Sequence, residues 1–416
     1  MGRGQGTCDY GCVCVCPSSP ACSARPGGHD LVPRLAAARP RSASLNSTLL
    51  SAGGSRLAGG RDTAEVDVLA ERLRAQLLSG PPAASPAAAV EHLLAVQAQD
   101  LVAARLGVRA RSTGLTAADV DRALNERELV VSWLNRGTLH LVRTEDFWWL
   151  HALTTPQLAT SNRTRLRQEG VDEAQADRGV EVVRATLAQG PRTRTALRDA
   201  LAAAGVPVRG QAVVHVLILA TLRGVCVRGP VIGREQAFAL LADWLPDLRP
   251  VNRELALPEL GRRYLRSHAP ATDRDLAKWA GIPLTAARQA LRDCPAPTPT
   301  KATLPPPRLL GMFDELLMGW ASRGPVLGEH SELVTSNGMF RAVMLIGGRA
   351  AGTWTRPDGR VRLEPFVPLD DVTLEALTRE AADVERFLGI ERLAGSAATL
   401  SQDHASRTRE GRWSGS

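Results

Sequence analysis

Two glutamines stand two positions apart at the end of an apolar run. Gln97 and Gln99 follow residues 87–95, where a helix is expected to bury its side chains. Buried amides are costly unless they are hydrogen-bonded. Their carbonyl oxygens accept hydrogen bonds and bear partial negative charge, so two amides can orient a water molecule without a strong base. The pair is therefore the first candidate for a chemical site.

The spacing of the two glutamines constrains the backbone around them. Side chains two residues apart on an α-helix point roughly 200° apart. If both amides act on one reactant, the helix must end or distort where they stand. The sequence therefore predicts a break near Gln97–Asp100 and a new helix from Leu101. Asp100 is either the N-cap of that helix or an additional base, and the sequence leaves both roles open.

A second unusual segment follows further along the chain. Residues 129–133 and 138–143 are typical of strands, and the Asn-Arg-Gly sequence between them is typical of a hairpin turn. Three polar residues of this hairpin, Arg136, Thr138 and His140, could contact a glutamine or a phosphate group. For Thr138 and His140, a purely structural role is the alternative.

The elements around these two segments occur in the order helix, helix, hairpin. Apolar residues recur at helical spacing from about residue 63, and Ser85 followed by a proline predicts the start of the next helix. Thr116 opens a further helix with the Ser/Thr-x-x-Asp/Glu capping pattern. This order is typical of winged-helix proteins. We assign residues 63–174 to a first winged-helix module, which carries the glutamines.

A second module is assigned to residues 175–270. It contains predicted helices over 195–204 and 210–223 and a wing strand at 225–228, and arginines crowd this region. A cluster of like charges is usually a solvated face. Here it coincides with helix-turn-helix order, so contact with phosphate groups is the competing interpretation.

Residues 271–300 are assigned to a third, helix-turn-helix module. Thr272 opens its first helix with a capping box, Gly281 supplies the turn, and residues 284–292 form a second helix like a recognition helix. The three modules are similar in architecture, although no strict sequence period relates them.

The segment 301–395 is predicted to be a β-meander or a small β-barrel. Three alternating runs, at 340–346, 350–355 and 361–366, are separated by turns rich in glycine and proline. A helix over 373–388 is expected to pack back on them. The predicted fold class is therefore mainly α with β, with tandem winged-helix modules and a small C-terminal β-barrel or meander.

The two ends of the chain lack any helical or strand period. Residues 1–62 are rich in Gly, Pro and Ser, and we interpret them as a disordered or mis-assigned N-terminal extension; residues 396–416 are predicted to be a disordered tail. No periodic element is present near the N-terminal cysteines to hold metal ligands, so no metal site is predicted. These cysteines are Cys8, Cys12, Cys14, Cys16 and Cys22.

Charge and hydropathy narrow the class of protein. The formal net charge of the 416 residues is +8, and Lys278 and Lys301 are the only lysines, so arginine carries nearly all the positive charge. A basic balance favours polyanionic partners, although a GC-rich genome also enriches arginine.

No apolar run approaches the length of a membrane span, so a cytoplasmic protein without membrane association is expected. No phosphate-binding or cofactor motif is present, and no cofactor is predicted.

Four short sequence segments, taken together and in order, resemble one family. The segments are Glu91–Gln99, Arg136–Val142, Phe313–Glu315 and Asn337–Arg341. The family is the winged-helix DNA-binding family that contains the AlkZ- and YcaQ-type DNA glycosylases, and the resemblance covers about residues 63–395. It implies tandem winged helices and a β-barrel gathered into a concave DNA-binding surface.

The resemblance also implies a reaction. The Gln-x-Gln motif, Gln97 and Gln99 in this sequence, would carry hydrolysis of the N-glycosidic bond of alkylated purines, including bulky or cross-linked adducts. This chemistry suits weak groups, because a 7-alkylpurine is already a cationic leaving group and only the water and the developing charge need to be positioned. Asp100, Thr138 and His140 are possible helpers.

Two classes of function follow from this interpretation. The first is a monofunctional DNA glycosylase, and the second is a non-catalytic winged-helix regulator in which the glutamine pair is structural. Both predict a monomer that binds double-stranded DNA through basic side chains. The candidate DNA-binding residues are Arg136, Arg194, Arg198, Arg209, Arg223, Arg228, Arg288 and Arg292.

Overall fold

The structure is a computed structural model. It describes residues 59–233, 235–245, 251–295, 303–335, 339–390 and 399–400. Outside the described residues lie the five N-terminal cysteines, Lys301 and most of both predicted tails. Two residues of the fourth family segment, Asn337 and Gly338, also lie outside them. The first helix begins at Gly59, a few residues before the predicted start of the first module.

The described chain is a mixed α/β structure with sixteen α-helices and ten strands. The helices are α1 (Gly59–Ala75), α2 (Pro86–Leu93), α3 (Leu101–Arg109), α4 (Ala117–Asn125), α5 (Thr144–Thr154), α6 (Leu158–Gln168), α7 (Glu173–Leu187), α8 (Arg194–Ala203), α9 (Ala212–Leu222), α10 (Leu241–Trp244), α11 (Arg253–His268), α12 (Asp273–Ala280), α13 (Leu284–Leu291), α14 (Glu315–Met318), α15 (Gly324–Leu327) and α16 (Asp371–Phe387). The strands are β1 (Val96–Gln97), β2 (Leu129–Trp133), β3 (Leu139–Arg143), β4 (Cys226–Ile232), β5 (Glu235–Leu240), β6 (Arg308–Leu310), β7 (Val343–Ile346), β8 (Arg349–Thr355), β9 (Arg362–Pro365) and β10 (Thr399–Leu400).

The predicted hairpin at 129–143 and the predicted wing strand at 225–228 belong to one sheet, which the sequence did not indicate. Its strand order is β1-β3-β2-β4-β5, and all its pairings are antiparallel. The two hairpins join where Val131 of β2 pairs with Arg228 of β4. The glutamine-bearing strand β1 therefore lies at one edge of a sheet that spans two predicted modules.

The two halves of this sheet repeat one order of elements. The first half runs α2, β1, α3, α4, β2, β3, and β1 pairs with β3. The second half runs α7, α8, α9, β4, β5, and an isolated bridge from Arg192 to Phe238 stands where β1 stands in the first half. The predicted module start at 175 falls inside α7.

The helix predicted over 210–223 corresponds to α9, and it is mostly covered by protein. α9 is apolar on every side, and most of its residues are buried against α6, α7 and the sheet. Its covered faces therefore leave little surface for contact with phosphate groups. Its packing instead supplies much of the core of this half.

The third module has the predicted caps. Thr272 makes a reciprocal capping box with Asp275, and Gly281 ends α12 in the left-handed conformation, with φ +68°. α11, which the predicted boundaries place in the second module, packs tightly on α13. A Cβ atom at Gly261 of α11 would stand 2.1 Å from the carbonyl oxygen of Ala290, so only glycine allows this approach.

The C-terminal strands form an open meander. The sheet order is β10-β9-β8-β7-β6, and β6 was not among the predicted strands. Within the described residues the sheet does not close, so the predicted barrel is wrong and the meander is confirmed. β10 pairs parallel with β9 inside the segment predicted to be a disordered tail. α16 packs back as predicted, and Glu380 accepts a hydrogen bond from the Leu309 N–H at 3.1 Å.

Candidate active site

The backbone breaks at the glutamines as the sequence predicts. α2 ends at Leu93, Leu94 adopts a positive φ of 71°, and the chain then runs extended through β1. α3 begins at Leu101 after Asp100, its N-cap. Gln97 ends β1 and Gln99 lies in the bend before α3, and both side chains reach the same β2–β3 hairpin. This conformation lets Gln97 and Gln99 act on one reactant, which a continuous helix would forbid.

The β2–β3 hairpin holds both amides. The Gln97 Oε1 accepts a hydrogen bond from the Arg136 Nη2 at 3.0 Å, and the Gln99 Oε1 accepts one from the Leu139 N–H at 3.2 Å. The Ala98 N–H donates to the Leu139 carbonyl at 2.7 Å. These donors have no acceptor capacity, so they fix which atom of each amide is the oxygen. The two unusual sequence segments therefore form one site.

Each amide keeps hydrogen-bonding capacity that the protein does not use. A carbonyl oxygen has two lone pairs, and within the described part of the chain each Gln Oε1 accepts one hydrogen bond. Neither Nε2 group has a partner among the same residues. Gln97 is 4% exposed, whereas Gln99 is partly exposed, so the site opens towards solvent on the Gln99 side.

Glu315 contacts the backbone of the glutamine segment. Its Oε1 accepts the Gln97 N–H at 2.7 Å, and its Oε2 accepts the Trp279 Nε1–H at 3.1 Å. The side chain is 1% exposed, and burial raises the pKa of its carboxyl group to about 7, although the Arg136 cation opposes the shift. In the sequence, the family segment Phe313–Glu315 was the only signal of its place beside the glutamines.

His140 lies directly across the sheet from Gln97 but cannot supply a proton near neutral pH. It is fully buried, and its Nδ1 lies 3.0 Å from the Thr138 carbonyl oxygen. Burial lowers the pKa of the imidazole to about 3, and the Arg136 cation acts in the same direction. Its Nε2 has no partner among the described residues.

The other two helper candidates hold local backbone. The Asp100 Oδ1 accepts the Ala103 N–H at 2.7 Å and caps α3. The Thr138 Oγ1 donates to the Asn135 carbonyl at 3.2 Å inside the hairpin turn. Both contacts match the structural roles that the sequence left open.

The predicted DNA-binding arginines fall into three groups. The Arg136 guanidinium donates to Gln97 and to the Trp279 carbonyl, and the Arg228 guanidinium lies over the Phe238 ring. These two side chains are only partly exposed and already have contacts within the protein. Exposed arginines with an acidic partner are Arg223, paired with Asp177, and Arg288, paired with Asp273. Those exposed without an acidic partner among the described residues are Arg194, Arg198, Arg209 and Arg292.

Two surface cavities among the described residues lie away from the glutamines. The larger, about 360 Å³, is lined in part by Arg109, Arg308 and Glu380, whose charges already pair with one another. The smaller, about 250 Å³, lies between α11 and α13. Neither of these two cavities is lined by Gln97 or Gln99.

Comparison with known proteins identifies the family of the chain. Residues 90–387, which include both glutamines and the hairpin, match the family model of AlkZ-like DNA glycosylases. The chain belongs to the AlkZ-like DNA glycosylase family. This confirms the family and the enzyme class predicted from the sequence.

A curated relative and a solved structure extend the match over most of the chain. The chain is 28% identical over 362 residues to an interstrand DNA cross-link repair glycosylase of Streptomyces sahachiroi, covering 78% of this chain and 97% of the relative. The solved structure of the Streptomyces sahachiroi DNA glycosylase AlkZ superposes with a TM-score of 0.64 at 25% identity, covering 81% of this chain and 98% of that one. This AlkZ-like chain therefore spans nearly the whole length of both proteins.

Proposed function

We propose that this AlkZ-like protein is a monofunctional DNA glycosylase that hydrolyses the N-glycosidic bond of alkylated purines in double-stranded DNA. Gln97 and Gln99 hold the attacking water through the remaining lone pair of each amide oxygen. The observation that carries the proposal is that donors of one hairpin fix both amide oxygens beside an extended segment. Fixed dipoles of this kind cost no reorganisation during reaction.

The charge of the substrate accounts for the absence of a strong base. A 7-alkylpurine leaves as a neutral base, so the water needs orientation more than deprotonation. Lys278 is exposed on α12, away from the glutamines in the sequence, and is not positioned by any described contact to form a covalent intermediate with the sugar. A hydrolytic, monofunctional reaction is therefore the simplest chemistry.

The repeated order of elements supports a DNA-binding scaffold. We infer that the elements from α2 to β3 and from α7 to β5 are winged-helix units and that the protein acts as a monomer on duplex DNA. We propose interstrand cross-links among the candidate substrates, because the Streptomyces sahachiroi relative is named an interstrand DNA cross-link repair glycosylase. The alternative function is a regulator that binds DNA without cleaving the glycosidic bond.

An excision assay separates the enzyme from the regulator. A labelled duplex with one 7-methylguanine is incubated with the protein and then treated with alkali, which breaks the strand at an abasic site. The wild-type chain should produce breaks at the lesion and none in a matched unmodified duplex. The variant with both Gln97→Ala and Gln99→Ala should bind the duplex but not break it. Breaks at an equal rate with both proteins, or with neither, contradict the proposal.

A further inference from the structure

Four residues, Gln97, Arg136, Trp279 and Glu315, form a closed ring of hydrogen bonds. The Gln97 N–H donates to the Glu315 Oε1 at 2.7 Å, and the Trp279 Nε1–H donates to the Glu315 Oε2 at 3.1 Å. Arg136 closes the ring, because its Nη1 donates to the Trp279 carbonyl and its Nη2 donates to the Gln97 Oε1 at 3.0 Å. Both the backbone and the side chain of Gln97 are therefore held by the same network.

The ring joins parts of the chain that are distant in sequence. Gln97 and Arg136 belong to the first half of the sheet that contains β1, Trp279 lies in the last turn of α12, and Glu315 begins α14. Trp279 and Glu315 are almost completely buried. Their rotamers are therefore fixed by packing, and the ring cannot adjust one contact without disturbing the others.

The backbone of Arg136 is locked against the turn of the third module. Arg136 has a positive φ of 57°, and a Cβ atom at Gly281 would lie 2.7 Å from its backbone nitrogen. Gly281 itself has a φ of +68°, which favours glycine. Gln157 adds a hydrogen bond from its Nε2 to the Gly281 carbonyl at 2.8 Å. This contact sets the direction from which the guanidinium reaches Gln97.

We propose that Arg136, Trp279 and Glu315 are positioning residues that fix the carboxamide of Gln97 for the glycosylase reaction. The inference rests on the proposed function of Gln97. It reassigns Arg136, which the sequence suggested for phosphate contact, to orientation of the amide. It also makes the third module, residues 271–300, and the C-terminal segment, residues 301–395, part of the reactive geometry. The third module supplies Trp279 and the C-terminal segment supplies Glu315.

The ring requires Glu315 as a carboxylate, because both of its oxygens accept N–H donors. The charged or titratable groups facing it are Arg136 from the hairpin, Asp314 beside it and Tyr264 from α11. Asp314 is itself bound on both oxygens by Arg111 at 2.8 Å. Burial raises the pKa of Glu315 to about 7, so the ring is complete above neutral pH and loses an acceptor below it.

Single-turnover excision from a 7-methylguanine duplex tests the inference in the full-length protein. Glu315→Gln, Trp279→Phe and Arg136→Lys should each slow excision by about 10- to 100-fold, because small misplacements of a reacting group cost about that much. The dissociation constant for the duplex should stay within about twofold of the wild-type value, since the ring members are not the exposed DNA-facing arginines. A loss of affinity with an unchanged rate overturns the inference, and so does no change in either quantity.

Matched controls separate positioning from general destabilisation. Glu380→Gln alters another buried glutamate that accepts a backbone N–H, and Trp244→Phe alters another buried tryptophan. Both should leave the excision rate unchanged. The wild-type rate should rise through pH 7, and Glu315→Gln should remove that rise while Glu380→Gln keeps it. If Glu315→Gln fails to fold, Arg136→Lys keeps the charge but cannot reach both acceptors, and it decides the same question.

Hydrogen exchange tests the ring without catalysis. In the free protein, the Gln97 backbone amide should exchange faster in Glu315→Gln and Trp279→Phe than in the wild type, and Glu380→Gln should not change it. If the wild type does not excise the base but this exchange pattern appears, the proposed function fails and the positioning network stands. If excision occurs while the exchange of Gln97 is unaffected by both ring variants, the positioning inference is overturned.

Discussion

His140 shows how burial decides the role of a residue that looks catalytic in the sequence. The sequence suggested that His140 could contact a glutamine or a phosphate group, and the register pairs His140 with Gln97. Full burial beside the Arg136 cation instead disfavours the imidazolium. The residue types of the site were predictable, because glutamines at the end of an apolar run are unusual. The pKa of His140 was not, because it depends on packing from distant segments.

The charge state of His140 leads to a measurable expectation. Burial lowers the pKa of His140 to about 3, so its imidazole signals in an NMR titration should not move between pH 5 and 8. The unfolded chain binds this proton near pH 6.5, so the contribution of His140 to stability is present above that pH and is lost as the pH falls towards 3. A titration midpoint above pH 5.5, absent in a His140→Phe variant, would contradict this expectation.

At the scale of elements, several helix caps were predicted correctly and long-range strand pairing was not. The caps at Ser85, Thr116 and Thr272 were predicted because each depends on residues within one helical turn. The pairing of β2 with β4 was not predicted, because it depends on a contact between segments far apart in sequence. The burial of α9 was missed for the same reason.

Substitutions of Asp100, the N-cap of α3, distinguish a structural role of this residue from a catalytic one. Asp100→Ala should lower the free energy of unfolding by about 0.5–2 kcal/mol, because the first turn of α3 loses its acceptor. Asp100→Asn keeps that acceptor and should excise the base at the wild-type rate in the single-turnover assay. Thr116→Ala, which removes the corresponding cap of α4, is the matched control for stability. A loss of about 100-fold or more in Asp100→Asn would instead identify a base.

At the scale of the whole molecule, residues from the C-terminal part of the chain help to hold the glutamine segment. Glu315 bonds to Gln97, and the buried pair of Arg111 and Asp314 fixes the C-terminal unit against the end of α3. The sequence contained both acids but gave no sign of their partners. Composition predicted a polyanionic partner, yet exposure and ion pairing decide which arginines are available to it.

The arginines therefore differ in their expected effect on DNA binding. Arg198→Ala, Arg209→Ala and Arg292→Ala should each weaken binding and reduce the slope of log affinity against log salt by about 0.9 per lost phosphate contact. Arg223→Ala should have a smaller effect, because its guanidinium already pairs with Asp177 at 2.7 Å. Fluorescence anisotropy at several salt concentrations measures both quantities. Equal slopes for wild type and all four variants would remove these arginines from the DNA-binding surface.

The most direct test of the central claim is a double-mutant cycle at Gln97 and Gln99. Single-turnover excision from a 7-methylguanine duplex is measured for wild type, Gln97→Ala, Gln99→Ala and the double variant, with DNA affinity measured in parallel. If the two amides hold one water, each single variant loses most of the rate, and the double variant is little slower than the worse single one. Multiplicative losses, or a double variant with the wild-type rate, would contradict the account.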